Sequence, residues 1–277
     1  MQLYADFDER WFSDRGVARR CGLARGYGAD AFLVGTHFMR QPDPGRALAA
    51  RCRSASSVEC AGRCSTARAR ARRRRARIVS AVREAVGSEV ALAMDANCAY
   101  DPATAIESGR RCMPYDLLWY EEPISPLDVA GYGTIKQALP TCRLAGAEGL
   151  AGSFTFRDLI QARVLDVVQP DISIAGGFTE MRRIAAMANA DYVRVIPHMW
   201  GGNVRLAATL HYQATMPDLP KQSMIPFPCY CEYDMTENGL RTELGTQFPM
   251  KDGWVDIPEG PGLGVEVNRE VLEQYSK

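Results

Sequence analysis

Short apolar runs alternate with amphipathic segments along the chain from about residue 90 onward. The runs are almost continuously apolar, which is typical of parallel strands that are covered on both faces by other elements. We therefore predict strands over VALAMD (90–95), DLLWYE (116–121), CRLAGAE (142–148), LDVVQPD (165–171) and VRVIPH (193–198).

The amphipathic segments between these runs are predicted to be helices. In DPATAIESGRRCM, Asp101 is a suitable N-cap and Pro102 suits the first helical position. The same helical pattern occurs in IVSAVREAVG, FTFRDLIQARV, TEMRRIAAMANA and NVRLAATLHYQA. Strands that alternate with single helices indicate βαβ units and a parallel sheet.

Three further runs bring the number of predicted strands to eight. MQLYAD and DAFLVG are candidate strands near the start, with RGVARRCGLARGYG as a helix between them, and FPCYCE (227–232) is a candidate eighth strand. Eight strands favour a closed barrel over an open sheet, and a β/α barrel of about 250 residues would use nearly all of the 277 residues. We therefore predict the α/β class, with a TIM-type β/α barrel as a single domain over residues 1–277.

One segment, at about residues 45–77, fits neither a strand nor a helix period. Its main part, residues 51–77, contains ten arginines and three cysteines. The simplest interpretation is an irregular basic insertion. A nucleic-acid-binding arm is disfavoured because no aromatic residues are interleaved. A frame-shifted translation of GC-rich DNA is a third interpretation, since Arg, Ala, Ser and Cys dominate the segment.

Charge and composition argue against several classes of protein. Basic and acidic residues number 33 each, so no general attraction to nucleic acid or to a membrane surface is expected. No apolar run reaches the roughly 18 residues of a membrane span, and the start of the chain lacks the pattern of a secretory signal. The nine cysteines have no framework spacing, which favours free thiols in a cytoplasmic protein.

Ionisable side chains stand at the ends of six predicted strands. In a β/α barrel the carboxyl ends of the strands surround one mouth, where the active site lies. Each residue alone could be a capping or loop group, but six in register predict a shared site. They are Asp95, Glu121, Glu148, Asp171, His198 and Glu232, at intervals of 26, 27, 23, 27 and 34 residues.

Three consecutive carboxylates in this series, Asp95, Glu121 and Glu148, suit a hard divalent cation. Mg²⁺ takes oxygen ligands in octahedral geometry and keeps positions for water or substrate; Mn²⁺ is an alternative. No cluster of cysteine and histidine competes for zinc, since His37 and His211 lie away from strand ends. The alternative role of the three carboxylates is ion pairing with the many arginines.

His198 and Asp171 end neighbouring predicted strands. An aspartate beside an imidazole fixes its tautomer and stabilises the imidazolium, which makes the histidine a competent general base. Glu232, on the eighth strand, could donate a hydrogen bond to a developing enolate oxygen if it is protonated. The three residues are therefore candidate catalytic groups.

The motifs at the strand ends resemble those of the mandelate-racemase branch of the enolase superfamily. They are Met94-Asp95-Ala96-Asn97, Trp119-Tyr120-Glu121-Glu122-Pro123, Ala147-Glu148, Val168-Gln169-Pro170-Asp171 with Gly176-Gly177, Pro197-His198 and Glu232-Tyr233. The tail Pro258-Glu259-Gly260-Pro261-Gly262-Leu263-Gly264 is similar to the C-terminal signature of that family. The motifs agree in order and spacing, and the resemblance covers residues 78–277 strongly and 1–40 weakly.

The resemblance implies a modified (β/α)₇β barrel that removes the proton α to a carboxylate. Such a proton is very weakly acidic, so a divalent metal stabilises the enediolate while a positioned base takes the proton. The motif His198-Met199-Trp200-Gly201 is similar to members that dehydrate sugar acids or open their lactones. The implied roles are metal binding for Asp95, Glu121 and Glu148, catalysis for His198, Asp171 and Glu232, and substrate contact for Asn97 and Trp200.

We therefore expect a Mg²⁺-dependent lyase or isomerase that acts on a small carboxylate, namely a sugar-acid dehydratase or a sugar-lactone cycloisomerase. Assembly into a homo-oligomer is a further expectation. A racemase or epimerase of a 2-hydroxy acid is the alternative within this class, because reprotonation of the same intermediate gives racemisation.

The chain departs from the family pattern in two places. The first predicted strand begins almost at Met1, so the N-terminal capping domain is expected to be absent. The second strand of family members ends in a Lys-x-Lys-like pair, where this chain has Phe32-Leu33-Val34. With one base, elimination is easier to support than racemisation. A non-catalytic fragment, truncated or frame-shifted, is the alternative from another class.

Overall fold

Eight parallel strands form one sheet in the structure, a computed structural model that describes residues 2–6, 31–34, 76–216, 230–234 and 239–276. The strands are β1 (Gln2–Asp6), β2 (Ala31–Val34), β3 (Ala91–Asp95), β4 (Leu117–Glu121), β5 (Leu144–Gly146), β6 (Val167–Val168), β7 (Arg194–Val195) and β8 (Tyr230–Asp234). Strands β1 to β7 are neighbours in chain order, and β8 pairs with β1. Because β8 lies beside the first strand, the arrangement is that of a closed barrel, as predicted.

Helices lie between the strands, and after β8, in the part of the chain that the structure describes. They are α1 (76–86), α2 (Pro102–Cys112), α3 (Val129–Ala138), α4 (Ser153–Gln161), α5 (Ile172–Ala175), α6 (Gly177–Ala190), α7 (Asn203–Ala214), α8 (Gly239–Thr242) and α9 (Arg269–Tyr275), with a 3₁₀ turn at Met113–Tyr115. The predicted cap of α2 is confirmed, since the Asp101 side chain accepts a hydrogen bond from Thr104 N at 2.8 Å. Helices α3, α5, α8 and α9 were not predicted. Two glycines weaken the pattern of α3, and the other three are too short to show a period.

The strands are shorter than the apolar runs. Glu148, Asp171 and His198 lie two or three residues beyond β5, β6 and β7, so they stand on the loops that follow these strands. The predicted end of β8 at Glu232 was wrong, because the strand extends two residues further, to Asp234, and Glu232 lies inside it. A strand ends where its hydrogen bonds to the neighbouring strands end. Apolar residues continue beyond that point, into loops that pack on the barrel.

Six buried apolar residues fill the interior of the barrel below its mouth. We refer to them as the floor layer: Ala93, Trp119, Ala145, Val167, Ile196 and Tyr230. Each comes from a different strand or from the residue directly after it. The rings of Trp119 and Tyr230 lie 6.2 Å apart at a tilt of 58°. Side chains in such layers make the interior of a β/α barrel a packed core rather than a pore.

Outside the sheet, the helices pack their apolar faces on the strands. In α1 the side chains of Val79, Val82 and Val86 are buried at helical spacing, which confirms the helix predicted there. The C-terminal segment covers the outside of α7 and β8, where Met250 and Val255 are buried among their side chains. This packing holds α7, whose first turn faces the barrel mouth, against the sheet.

Several features predicted from the sequence can be compared only in part. The four cysteines in the described residues are free, and no described helix is long and apolar enough to cross a membrane. A cytoplasmic location stays a prediction. The predicted helix at 15–28 and the insertion at 45–77 lie outside the described residues, except for residues 76 and 77, which belong to α1.

Replacement of Gly245 with alanine should destabilise the fold. A Cβ there would lie 2.4 Å from the carbonyl oxygen of Glu266, next to the antiparallel bridge between Gly245 and Val267. Forced overpacking of this kind costs about 1–3 kcal/mol, which urea denaturation should detect. The matched control is Gly133→Ala in α3, where the nearest atom is 3.8 Å away. That change should leave stability unchanged or raise it. Equal midpoints for Gly245→Ala and wild type would contradict the prediction.

Candidate functional site

A layer of mostly polar residues lies directly above the floor layer, toward the carboxyl ends of the strands. Its members, which we call the mouth layer, each follow a floor residue by two positions: Asp95, Glu121, Ala147, Gln169, His198 and Glu232. Since side chains two residues apart in an extended chain point to the same side, these groups face the barrel interior. The mouth is therefore lined by ionisable and amide groups above an apolar floor.

Two carboxylates of the mouth layer lie side by side. Asp95 on β3 is in register with Glu121 on β4, and both are buried, Glu121 to 1% exposure. Burial and repulsion from Asp95 raise the pKa of Glu121 well above its usual range, while the Gln169 amide and a 2.8 Å hydrogen bond from Trp119 Nε1 lower it. A divalent cation would relieve the repulsion between the two carboxylates.

Asp95 is held by the loop that follows β3. The backbone N–H of Asn97 donates to Asp95 Oδ1 at 2.6 Å. Asn97 and Cys98 both have positive φ, at 46° and 57°, which is uncommon for residues other than glycine. The Asn97 side chain is exposed. The contact that Asn97 makes to the candidate metal ligand is therefore a backbone contact, and a role in substrate binding stays a prediction.

The predicted dyad is formed. His198 Nδ1 lies 2.8 Å from Asp171 Oδ2, and the other oxygen of Asp171 accepts from the backbone and hydroxyl of Ser173 at 2.7 and 2.6 Å. Burial raises the pKa of Asp171, but the hydrogen bonds from His198 and Ser173 outweigh it, so the net pKa is lowered. An ionised Asp171 holds the ring with Nε2 pointing away from it.

The other ring nitrogen of the dyad points to the third predicted metal ligand. His198 Nε2 lies 3.5 Å from Glu148 Oε2, and both side chains are only partly buried, at 12% and 19% exposure. The sequence predicted that Glu148 belongs with Asp95 and Glu121. In the structure it lies beside His198 of the dyad, and it stands on the loop beyond β5 rather than on the strand.

Sequence reasoning missed Arg205. Its Nη1 donates to Asp171 Oδ2 at 3.0 Å, the same oxygen that contacts His198, and to the carbonyl of Trp200 at 2.7 Å. A cation in the first turn of a helix is unfavourable beside the positive end of the helix dipole unless it has a partner. An arginine near the start of α7 was therefore a usable signal for an acidic partner on a neighbouring loop.

Sequence reasoning also missed that Glu122 links neighbouring loops by hydrogen bonds. Its two carboxylate oxygens accept from Ala147 N at 3.2 Å and from Cys98 Sγ at 3.0 Å. The residue is buried, and its φ of 35° is again positive. It joins the loops after β3, β4 and β5, which carry or adjoin the three candidate metal ligands.

The remaining predicted residues, Glu232 and Trp200, lie on β8 and on the loop after β7, next to His198. Glu232 is 2% exposed, and its Oε2 accepts a hydrogen bond from the backbone of Met199 at 2.6 Å. This bond connects β8 to the loop after β7, where the barrel closes. Trp200 is half-buried on the same loop, and its carbonyl is fixed by Arg205.

Known proteins of similar sequence show the family of the chain. A sequence profile of the enolase C-terminal domain-like family matches residues 48–271. The chain belongs to this family. It is 36% identical over 200 residues to a D-galactarolactone cycloisomerase from Agrobacterium fabrum, covering 72% of this chain and 52% of that protein. It is 32% identical over 203 residues to a D-gluconate dehydratase from Thermoproteus tenax, covering 73% and 39%.

Solved structures of the same superfamily share the fold. The crystal structure of 3,6-anhydro-D-galactonate cycloisomerase from Zobellia galactanivorans superimposes with a TM-score of 0.77 at 28% identity, over 99% of this chain and 66% of that one. The resemblance to the enolase superfamily and the modified β/α barrel are thereby confirmed. The chain spans about half the length, or less, of the curated relatives it matches.

The enolase-type mouth has the chemistry for a divalent cation but not a closed ligand cage. Among the described residues, no three His, Cys, Asp or Glu side chains are grouped closely enough to hold a metal. The carboxylate donors and the repulsion between Asp95 and Glu121 nevertheless fit Mg²⁺. Glu148, the third predicted ligand, lies beside His198.

The second strand provides no lysine in the described part of the chain. Strand β2 lies between β1 and β3 and consists of Ala31, Phe32, Leu33 and Val34. Residues 35–75 lie outside the described residues.

Proposed function

We propose that this barrel abstracts the proton α to the carboxylate of a sugar acid or its lactone, and that loss of the β substituent follows. The product would be a dehydrated or ring-opened acid, so the reaction is that of a dehydratase or a cycloisomerase. The relatives named above are a cycloisomerase and a dehydratase of such compounds, which supports the substrate class for this chain.

The observation that carries the proposal is the relation of the dyad to the carboxylates. Asp171 fixes His198 through Nδ1, so Nε2 points toward Glu148 and the acidic side of the mouth. A base in this position faces a substrate whose carboxylate is drawn to a cation held there. Geometry of this kind allows proton transfer without movement of the backbone.

The residues that would hold the cation are Asp95, Glu121 and Glu148. A bound Mg²⁺, or Mn²⁺ in its place, supplies positive charge that stabilises the enediolate formed when the α-proton leaves. The chain itself contributes three things: the dyad accepts the proton, Glu122 and Asn97 hold the loops under the carboxylates, and the apolar floor excludes water from below. Glu232, and Asn97 and Trp200 beside the mouth, are the proposed contacts to substrate.

Elimination is favoured over racemisation in this proposal. Racemisation requires a base on each face of the α-carbon, whereas elimination requires one base and a leaving group. The described residues offer His198 on one side of the mouth and no lysine on β2. Racemase or epimerase activity is therefore the alternative that a second base would support.

The test is to incubate the protein with Mg²⁺ and a panel of sugar acids and lactones in D₂O. Galactonate, gluconate, arabinonate and galactarolactone form the panel, and NMR follows both deuterium at the α-carbon and loss of the β-hydroxyl. We expect one substrate to give elimination or ring opening. Deuterium in both configurations without elimination would support the racemase. No exchange with any compound, in folded protein that binds Mg²⁺, would support a non-catalytic fragment.

A further inference from the structure

Gln169, which directly follows β6, is the residue that this strand contributes to the mouth layer. It follows the floor residue Val167 by two positions, and its backbone N–H donates to Gly146 O at 2.8 Å, which continues the pairing of β6 with β5. The sequence suggested Asp171 for this place, but Asp171 stands on the loop beyond it. The side chain that strand β6 directs into the barrel, level with Asp95 and Glu121, is thus an amide.

This amide is buried without a hydrogen-bond partner. Gln169 has no exposed surface, and neither Oε1 nor Nε2 makes a hydrogen bond to any of the described residues. Burial of an unpaired amide lowers the stability of a protein, so such groups call for an explanation. Ser108 and Thr209 also have buried hydroxyls without partners, but they lie on the outer helices α2 and α7. Gln169 differs because it faces the barrel interior.

The ionisable group next to this amide is Glu121. Gln169 is close enough to lower the pKa of Glu121, although the two side chains do not meet normal hydrogen-bond geometry. Trp119 Nε1 also donates to Glu121, to its Oε2 at 2.8 Å. Trp119 thus holds one oxygen of the Glu121 carboxylate, and the neighbouring Gln169 amide is the group that would hold the other.

We propose that Gln169 is a positioning residue for Glu121, whose carboxylate its amide engages when a divalent cation binds. This inference rests on the proposed function, because it takes Glu121 as a metal ligand. Ligating carboxylates are oriented by groups that do not touch the metal, and loss of such a group typically weakens metal binding 10- to 100-fold. The unpaired amide is then a feature of the metal-free protein that metal binding removes.

The test compares metal affinity with stability in Gln169→Met, a change that keeps the size of the side chain and removes the amide. Calorimetric titration with Mg²⁺ should show affinity at least about 10-fold weaker than in wild type. The melting temperature of the metal-free variant should be unchanged or raised by up to about 4 °C, since an unpaired buried amide is removed. A residue that only supports the fold would lower the melting temperature.

Two further variants complete the test. Thr209→Val removes an unpartnered buried hydroxyl from α7 and should leave Mg²⁺ affinity unchanged. Gln169→Asn shortens the amide and should weaken Mg²⁺ binding as Gln169→Met does, which covers the case in which Gln169→Met fails to fold. Equal Mg²⁺ affinity in wild type and the Gln169 variants would overturn the inference and leave the proposed function standing. Absence of Mg²⁺ binding in wild type would overturn both.

Discussion

Glu121→Gln should abolish Mg²⁺ binding and at the same time stabilise the metal-free protein. The substitution keeps the size of the side chain but removes the charge that a hard cation requires. Calorimetric titration with Mg²⁺ or Mn²⁺ should show one site in wild type and affinity reduced at least about 100-fold in the variant, because a direct ligand contributes no less than the groups that orient it.

The expected gain in stability follows from the electrostatics of the site. The folded-state pKa of Glu121 is raised above its ordinary value of 4.5 by burial and by repulsion from Asp95. A raised pKa means that the stability contributed by the protonated group is present below about pH 4.5 and is lost as the pH rises through the folded pKa. At pH 8, which lies well above 4.5, the burial of Glu121 beside Asp95 therefore destabilises the metal-free fold relative to the unfolded chain. Gln, which resembles the protonated form, should raise the melting temperature.

The control for both measurements is Glu107→Gln on α2. This carboxylate is 42% exposed and pairs with Arg111 across one helical turn, so its loss should change neither metal affinity nor stability by much. Equal Mg²⁺ binding by wild type and Glu121→Gln would remove the central claim about the site. A lower melting temperature of metal-free Glu121→Gln at pH 8 would show that the repulsion with Asp95 is relieved in another way.

His198→Asn should abolish exchange of the α-proton, with a loss of about 10²- to 10⁴-fold, the usual contribution of a general base. The described residues offer no second base of this kind opposite His198, so no residual exchange from the other face is expected. Deuterium incorporation in D₂O, followed by NMR with the compound of the proposed panel that wild type converts, measures the loss. The matched control is His211→Asn, since His211 lies on α7 and its Nε2 contacts the carbonyl of Leu263 away from the mouth.

Asp171→Asn separates the role of the dyad from that of the metal. The neutral amide lacks the negative charge that attracts both the His198 Nδ1–H and the Arg205 guanidinium. The ring therefore loses its fixed tautomer. Exchange should slow by less than in His198→Asn, whereas Mg²⁺ affinity should stay nearly unchanged. Exchange that survives in His198→Asn would reveal a base elsewhere in the mouth. A large loss of Mg²⁺ affinity in Asp171→Asn would show that the dyad and the cation site do not act independently.

The sequence by itself determined the architecture and the candidate groups. Apolar runs spaced by one β/α unit predicted the parallel barrel, because both the period of the strands and the length of the helices are local properties. The polar residues that follow these runs predicted the dyad of His198 and Asp171, which the structure forms at 2.8 Å. The strand-end motifs predicted the enolase superfamily, which the comparisons confirm.

Only the tertiary structure decided which of these groups share a level of the barrel. Side chains alternate along a strand, so a shift of one or two residues in the strand end changes which residue faces the interior. This register placed Gln169 rather than Asp171 in the mouth layer and set Glu148 beside His198. The partners Arg205 and Glu122 act across gaps of 34 and 25 residues. Contacts over such distances depend on how helices and loops pack against the sheet, and no local pattern in the sequence encodes them.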